Sequence, residues 1–297
     1  QEGIWDPNIF YTMHSLPLIA ILAPIYSILC RIDPVWCYKI VFPFIFSLVP
    51  LGLYVLYKNI DWGRFCLNGI AMLSPFFFMF FYGFYKDISD KQHIAEFFFI
   101  LILITSTLNI SKINQKFLII CFMCGLLFSH YGLSYICIIS FIGAYIGTYI
   151  VFYSYHKKPS DNTTSDPKGV FNFMLITYFV ALVFFWHMYT VGGVVFENVV
   201  YLGERVADNI AELFIPDDRS GLKYFSYSSP SLMWSIYKII HVLLQASILC
   251  GLIVLLRELI NKSINITYIH FIIFIFYLLL ILQITLTFGM GFDRIYQ

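Results

Sequence analysis

The stretch Gly132-Leu-Ser-Tyr-Ile-Cys-Ile-Ile-Ser-Phe-Ile-Gly-Ala-Tyr-Ile-Gly-Thr-Tyr-Ile-Val-Phe-Tyr153 indicates the fold most directly. It carries no charged side chain, and it is longer than the ~20 residues that a helix needs to cross the hydrocarbon core of a bilayer. A helix pairs its own backbone N–H and C=O groups, which lipid cannot do. The stretch therefore predicts a transmembrane helix.

Similar apolar stretches recur along the whole chain. Hydrophobic residues make up 60% of the sequence and charged residues only 12%, whereas about a quarter of a soluble domain is charged. We predict an all-α, polytopic bundle of about eight spans, at residues 35–57, 65–85, 93–108, 116–129, 132–153, 170–190, 232–256 and 264–288. The net charge of +1 argues against nucleic acid as a partner, because phosphate binding needs a concentrated basic surface.

Two shorter features interrupt this pattern. Residues 16–30 are apolar but too short to span, and Pro17 and Pro24 limit a helix there, so we predict an interfacial or re-entrant helix. Ser129–Gly132 is predicted to form a tight turn between two spans, because glycine accepts the positive backbone angle that such turns often need. The alternative is one kinked element over residues 116–153.

The distribution of basic residues predicts an orientation. With eight spans, loops 58–64, 109–116, 154–169 and 257–263 fall on one side and hold nine Lys or Arg against four acids. Loop 191–231 falls on the other side and is acidic, with a surface helix expected within 194–214. Because cytoplasmic loops are enriched in Lys and Arg, we predict a multi-pass cell-membrane protein whose N-terminal segment and loop 191–231 are extracytoplasmic.

We expect one transmembrane domain over residues 1–297, cut from a longer chain because the sequence begins at Gln1 without a start Met. Its predicted parts are an outer segment 1–34 that includes the interfacial helix, five spans in 35–153, a cytoplasmic linker 154–169, and three spans in 170–297. Most of the seven cysteines are expected to be small buried hydrophobes. Cys121 and Cys124 form a C-x-x-C, but no second pair or neighbouring histidine indicates a metal.

Several polar patches resemble a family of uncharacterised archaeal membrane proteins. The patches are Trp5-Asp6-Pro-Asn8, Ser15-Leu-Pro17, Tyr38-Lys-Ile-Val-Phe-Pro43, Phe46-Ser-Leu-Val-Pro-Leu-Gly-Leu-Tyr54, Lys91-Gln92-His-Ile-Ala95-Glu96, Ser129-His130-Tyr131 and Arg294-Ile-Tyr-Gln297. The resemblance covers most of the chain. It implies a multi-spanning membrane protein, and that family has no assigned activity.

The first half also resembles the GT-C superfamily of glycosyltransferases, which use lipid-phosphate-linked sugars. In that superfamily an outer loop with an acidic residue and a membrane-parallel helix precedes two spans and a second outer loop that is often acidic. Asp6 matches the first acidic position, residues 16–30 the parallel helix, and Asp87 or Asp90 the second acidic position. The first span of the superfamily has no counterpart here. The resemblance implies a polyprenyl-phosphate-linked sugar as the donor, used on the extracytoplasmic face.

Such a reaction needs a carboxylate to activate the acceptor hydroxyl and positive charge to neutralise the departing phosphate. Asp6 is the candidate catalytic base. The candidate phosphate-binding residues are Lys91, His93, His130 and Arg294. Asp87, Asp90 and His93 recur every three residues, so one helical turn would bring them together as ligands of a divalent metal ion.

Each candidate also has a structural explanation. Asp6 before Pro7 is a common way to start a turn, and Asp87 and Asp90 could cap the next helix. His130 could be a hydrogen-bonded turn residue and Arg294 could extend to the lipid headgroups. The remaining polar residues in spans are expected to be structural, and these are His187, His241, His270 and Gln283.

Two other classes of function remain open. A transporter or lipid flippase usually places ionisable groups near the middle of the bilayer and often has internal repeats, and this sequence shows few such charges and no repeat. A noncatalytic scaffold would use loop 191–231 to dock a partner protein.

Overall fold

A computed structural model describes residues 16–60, 68–79, 91–155, 170–190, 232–261 and 267–286, together with 196, 197, 200, 201, 203 and 204. Every regular element within these residues is a helix. In chain order the helices are α1 (Pro17–Cys30), α2 (Pro34–Asn59), α3 (Asn68–Met79), α4 (Lys91–Thr107), α5 (Lys112–Ser129), α6 (Tyr131–Tyr155), α7 (Phe173–Thr190), α8 (Leu232–Asn261) and α9 (Tyr268–Leu286).

The helices follow the predicted spans closely. Each of the eight apolar stretches contains one helix, from α2 to α9, and residues 16–30 contain α1. Within the described residues, four segments are long and apolar enough to cross a membrane: Pro34–Asn59, Lys112–Ser129, Tyr131–Ile150 and Phe173–Thr190. Large apolar side chains remain exposed on these helices, as lipid contact requires; Ile113, for example, is 81% exposed. The prediction of an all-helical, polytopic membrane protein is confirmed.

Some predictions fall partly or wholly outside the described residues. Of the predicted surface helix 194–214, the six described residues are helical. The linker is described only at residues 154 and 155, which end α6. The orientation of the chain and the interfacial placement of α1 stay predictions.

The chain divides into two compact units. Unit 1 comprises Gln1–Leu56, Ile88–Ile139 and Asn172–Tyr201, and unit 2 comprises Tyr57–Asp87, Ser140–Phe171 and Leu202–Gln297. Each unit has its own packed interior, described separately below.

In unit 1, α1 packs on the start of α2 and on α5, and it shares a buried cluster with the start of α4. Their shared cluster contains Ile19 and Ala23 from α1, Cys37 and Phe42 from α2, and Ile94 from α4. A π-helical turn at Cys37–Val41 widens α2 beside this cluster. The opposite face of α1 exposes large apolar side chains, so one face of this helix is available to lipid while the other holds the cluster.

The ends of α1 and α2 follow ordinary capping rules. Arg31 adopts the left-handed conformation, with φ 53° and ψ 41°, and closes α1 by donating its N–H to the Ser27 carbonyl. Asp33 then starts α2 by accepting a hydrogen bond from the Val35 N–H at 2.8 Å. A two-residue connection, Ile32-Asp33, therefore separates Arg31 from the first turn of α2.

Also in unit 1, α4 and α5 pack side by side as a hairpin. Gln115 in the first turn of α5 is buried, and its amide nitrogen donates to three carbonyls at the end of α4, those of Thr105 at 2.8 Å, Ser106 at 3.2 Å and Leu108 at 3.2 Å. The last carbonyls of a helix have no partner within the helix. Gln115 supplies that partner and closes the hairpin.

The break between α5 and α6 lies where the sequence predicts it, but its conformation differs from the prediction. A single extended residue, His130 (φ −153°, ψ 116°), separates the two helices. The expectation that Gly132 provides a positive φ is wrong, because Gly132 already belongs to the first turn of α6 and the chain changes direction at His130. The chain therefore forms two helices here, as expected, and not the alternative of one kinked element over residues 116–153.

In unit 2, the part of α6 from Ser140 onward packs closely on α9. A Cβ atom added at Gly143 would lie 2.6 Å from Cδ1 of Ile275, and one added at Gly147 would lie 2.7 Å from Cδ1 of Phe271. The Tyr268 hydroxyl also donates a hydrogen bond to the Phe141 carbonyl. Glycines four residues apart thus allow the two helices to approach, as in other membrane-helix interfaces.

Candidate functional site

Most of the predicted site residues lie outside the described part of the chain. These are the candidate base Asp6, the candidate metal ligands Asp87 and Asp90, and the candidate phosphate ligand Arg294. Lys91 is the first residue of α4. The expectation that these groups lie close together therefore stays a prediction. The structure does describe the surroundings of His93 and His130.

His93 lies in the first turn of α4 and is largely buried. Its ring is 7% exposed, and the ring centroid lies 3.8 Å from that of Phe46 in α2. The next residue, Ile94, belongs to the cluster that holds α1. On the exposed side of the same turn, the Gln92 amide donates to the Glu96 carboxylate at 2.8 Å. His93 thus connects the start of α4 to the packed interior of unit 1.

His130 starts α6. Its ring Nδ1 accepts a hydrogen bond from the Leu133 N–H at 3.0 Å, and its carbonyl accepts one from the Ser134 hydroxyl at 2.9 Å. The ring stacks on Tyr131, with centroids 5.4 Å apart. A Cβ atom at Gly132 would lie 3.0 Å from the His130 ring. The absence of a side chain at Gly132 therefore leaves room for that ring. His130 is the hydrogen-bonded residue that the structural explanation of the sequence predicts.

A second histidine near this break has surroundings that the sequence did not reveal. His187, three residues before the end of α7, is fully buried at 0% exposure. Its Nδ1 lies 3.0 Å from the hydroxyl of Tyr135, which is in the second turn of α6. Within the described residues Nε2 has no hydrogen-bond partner. His187 stands out in the sequence as a polar residue within an apolar stretch, which indicates a buried role. Nothing in the sequence points to Tyr135 as its partner.

Aromatic rings lie beside the pair formed by His187 and Tyr135. Trp186 packs edge-on against Phe128 at the end of α5, with centroids 4.7 Å apart. Phe184 packs edge-on against Tyr135 at 6.0 Å. We call Phe128, His130, Tyr131, Tyr135, Phe184, Trp186 and His187 the break cluster, because they join the last turns of α7 to the break between α5 and α6.

The break cluster brings hydrogen-bonding and apolar aromatic groups together. Imidazole and phenol groups donate and accept hydrogen bonds, and aromatic faces provide apolar contact area. Among the described residues, no group of three or more His, Cys, Asp or Glu side chains is placed to hold a metal ion. The predicted divalent ion depends on Asp87 and Asp90, which lie outside those residues.

Two further polar contacts involve residues of the spans. His270, in the first turn of α9, has its Nδ1 2.9 Å from the hydroxyl oxygen of Thr267 and is buried. Tyr57 and Tyr277 in unit 2 share a hydrogen bond of 3.0 Å. His241 and Gln283 lie on α8 and α9, and their side chains are outside the described set.

The expectation that most cysteines are buried is wrong for those described. Six of them are free thiols, and only Cys37 and Cys137 are buried. Cys121 of the C-x-x-C is exposed and Cys124 is half-buried on α5. A cysteine on a lipid-facing helix surface remains in an apolar environment without being covered by protein, which the hydropathy of the sequence cannot distinguish.

The chain matches one model of a protein family. Residues 115–297, more than half of the chain, match the family model described as "Predicted membrane protein (DUF2206)". The chain belongs to this family. The matched residues of the DUF2206 protein include the whole break cluster, whereas Asp6, Asp87 and His93 precede the match. No curated protein and no solved structure matches the chain.

Membership in DUF2206 confirms that the chain resembles an uncharacterised family of membrane proteins. The family description names no activity, and the archaeal affiliation stays a prediction from the resemblance.

Proposed function

We propose that this protein is a membrane-embedded glycosyltransferase-like enzyme, which transfers a sugar from a polyprenyl-phosphate-linked donor on the extracytoplasmic face. Asp6 is the base that activates the acceptor hydroxyl. Lys91, His93, His130 and Arg294 are the residues that meet the phosphate, and Asp87 and Asp90 hold a divalent cation if one is needed. The supporting likeness is to the arrangement of the GT-C superfamily.

One observation carries the proposal: α1 and the first turn of α4 contribute to the same buried cluster. Ile19 and Ala23 of α1 share a buried cluster with Ile94 of α4. The segment with Asp6 precedes α1, and the segment with Asp87 and Asp90 precedes α4. The starts of α1 and α4 share this cluster, and the proposed chemistry requires the acidic segments before them to meet in one place.

The proposal also fits the lengths of the first helices. α1 has 14 residues, too few to cross a bilayer, and α2 (Pro34–Asn59) has 26. A short helix before a long one is the order expected for a membrane-parallel helix followed by a span. Lys91, at the start of α4, would lie at the membrane boundary, where a lipid phosphate also lies.

The test replaces Asp6 by Asn in proteoliposomes that contain decaprenyl-phosphate carrying a radiolabelled sugar. The carboxamide keeps the shape of the side chain but is no longer a base, so we expect transfer of the label to fall by about a hundredfold or more. Glu204→Gln, an exposed acid in the segment after α7, is the matched control and should leave transfer unchanged. Transfer by Asp6→Asn at the wild-type rate would remove Asp6 from the mechanism.

A wild-type protein that shows no transfer, yet moves the intact labelled lipid from one leaflet to the other, would instead favour a lipid flippase. Leaflet movement is measured in the same vesicles with a reagent that reaches only the outside. The two readouts therefore separate transfer of a sugar from transport of its carrier.

A further inference from the structure

The apolar helices of unit 1 carry very little negative charge. Between them, α2, α4, α5 and α7 contain a single acidic residue, Glu96, which lies five residues after α4 begins at Lys91. At ~1.5 Å per residue, Glu96 is about 8 Å from that end of the helix. An ionisable residue at such a depth is costly in lipid, and it commonly marks a binding site for a substrate or an ion.

The carboxylate of Glu96 is held in place by its own helix. The side-chain amide of Gln92, one turn earlier, donates a hydrogen bond of 2.8 Å to Oε1 of Glu96. Side chains four residues apart are neighbours on one face of a helix, so this bond fixes the direction of the carboxylate. A carboxylate has about four lone-pair sites, and Gln92 uses one of them. The group can therefore accept further hydrogen bonds from a ligand.

The face of α4 that carries this pair is open at the first turns and closed farther along the helix. Gln92 is exposed and Glu96 is half-buried, whereas Ile100 and Leu103 on the same face are only 3% and 4% exposed. Ile100 packs on α2, where a Cβ atom added at Gly52 would lie 3.0 Å from its Cγ1. Because the deeper residues contact protein, the exposed surface of Gln92 and Glu96 lies at the open end of a contact between helices, where ligands can enter.

Two candidate phosphate-binding residues lie at nearly the same level of unit 1. A Cβ atom added at Gly125 of α5 would lie 2.6 Å from the Phe98 ring of α4, so these two residues are level with each other. The two helices run antiparallel in their hairpin. Five residues away from this contact on each helix, His130 and His93 are therefore also level. Glu96 is three residues, roughly 5 Å, farther along α4 than His93.

This arrangement matches a sugar that is attached to a lipid phosphate. Sugar hydroxyls donate hydrogen bonds, and a charged acceptor forms stronger hydrogen bonds than a neutral one does. A carboxylate repels a phosphate, so the Glu96 side chain matches the sugar and not the phosphate. The distance of one helical turn between Glu96 and the level of the histidines leaves the sugar beside the carboxylate when the phosphate lies at the histidines.

We propose that Glu96, held by Gln92, accepts hydrogen bonds from hydroxyl groups of the sugar on the polyprenyl-phosphate-linked donor. The inference rests on the proposed function and deepens it, because it assigns the group that recognises the donor sugar. Glu96 is a binding residue. Gln92 is a positioning residue, since it acts through Glu96.

The experiment measures the binding of decaprenyl phosphate, and of decaprenyl phosphate carrying glucose, galactose or mannose, to the full chain in nanodiscs of zwitterionic lipid. Glu96→Gln keeps the shape of the side chain and removes its charge. We expect this variant to raise the Kd of at least one sugar-bearing lipid about tenfold. The Kd of decaprenyl phosphate should stay the same or fall, because a negative charge has been removed. Glu204→Gln, the same change at an exposed acid, is the matched control and should bind every lipid as wild type does.

The response of the separate lipids distinguishes a binding role from a structural one. Gln92→Leu releases the carboxylate of Glu96, so we expect a smaller rise in the Kd of the same sugar-bearing lipid and no rise for decaprenyl phosphate. A pair that only stabilises α4 would not discriminate between lipids with and without a sugar. Wild-type Kd values of Glu96→Gln for every sugar-bearing lipid would overturn the inference, as would an equal rise for decaprenyl phosphate.

Two further measurements complete the test. If Glu96→Gln does not fold, wild-type protein is treated with a carbodiimide and a radioactive amine, and the label at Glu96 is quantified by peptide mapping. A sugar-bearing lipid should protect Glu96 more than decaprenyl phosphate does, and equal labelling with all lipids would overturn the inference. Methyl glycosides of the same sugars probe an acceptor sugar without a lipid phosphate. Binding of a methyl glycoside that depends on Glu96 and is as tight as that of the lipid-linked sugar would overturn the assignment to the donor.

The failure of this inference can be told apart from failure of the proposed function. Asp6→Asn should lose transfer and retain the wild-type Kd for the sugar-bearing lipid, whereas Glu96→Gln should raise that Kd. If no protein transfers sugar but Glu96→Gln still weakens binding of a sugar-bearing lipid, the sugar site stands and the transferase proposal falls. Transfer that depends on Asp6, with binding indifferent to Glu96, gives the reverse conclusion.

Discussion

Replacing Gln115 should destabilise the α4–α5 hairpin by a predictable amount. The Gln115 amide nitrogen has two hydrogens and reaches the carbonyls of Thr105, Ser106 and Leu108 at 2.8, 3.2 and 3.2 Å. Two shared protons at a net ~1 kcal/mol each amount to about 2 kcal/mol. Gln115→Met keeps the length of the side chain and removes both donors. The loss of hydrogen bonding before any compensation is therefore about 2 kcal/mol.

Two features of the structure reduce that figure. The Thr105 carbonyl also accepts from the Leu108 N–H at 3.3 Å, so it keeps one partner. Within the described residues Oε1 of Gln115 is buried without a hydrogen bond, and methionine removes that unsatisfied atom. We therefore expect Gln115→Met to lower the free energy of unfolding by about 1–2 kcal/mol. Gln115→Glu should cost more, about 3 kcal/mol or above, because it turns a carboxylate toward carbonyl oxygens in a buried place.

The assay is unfolding in mixed micelles of increasing SDS mole fraction, followed by far-UV circular dichroism and by tryptophan fluorescence. Coincident transitions by the two probes justify a two-state free energy. Asn114→Ala is the matched control, since the Asn114 side chain is exposed one residue earlier. Equal stability of Gln115→Met and wild type, or an equal loss from Asn114→Ala, would refute the reasoning that the amide closes the end of α4.

Two further predictions use the same assay. Gly147→Ala should lose about 1–3 kcal/mol, because the new methyl group would meet the Phe271 ring at 2.7 Å, whereas Gly251→Ala, with open space around it, should gain about 0.5–1 kcal/mol; a gain at both positions would contradict the packing of α6 on α9. His130→Ala should lose about 0.5–2 kcal/mol through the Leu133 N–H that it leaves without its side-chain acceptor, and His130→Asn should recover most of the loss. Equal losses from alanine and asparagine would mean that the cap contributes little.

The positions of the helices could be predicted because hydropathy is a property of short stretches. Residues 16–30 are a case in point: α1 begins at Pro17 and ends at Cys30, where Pro17 and the apolar length place it. The expectation that Pro24 limits the helix is wrong, because Pro24 lies inside α1. The break at residues 129–131 was predictable for the same reason. Its conformation was not, since either a positive φ at Gly132 or an extended His130 interrupts a helix at that point.

The contacts that join the helices were harder to predict because they depend on partners distant in the chain. Gln115 falls at the edge of a predicted loop, yet α5 begins at Lys112 and turns Gln115 inward. His187 and Tyr135 are separated by 52 positions, and no periodicity relates them. The spacing of Gly143 and Gly147 was a readable signal for a close helix contact, although it does not name the partner helix.

His187 uses its ring differently from the side chains of Gln115 and His130. Gln115 serves the end of α4, and His130 the start of α6. These tasks are explained by backbone groups that a helix end leaves unpaired. His187 lies near a helix end too, but its Nδ1 bonds the side chain of Tyr135 on another helix. Its ring therefore joins α6 and α7 through a contact between two side chains.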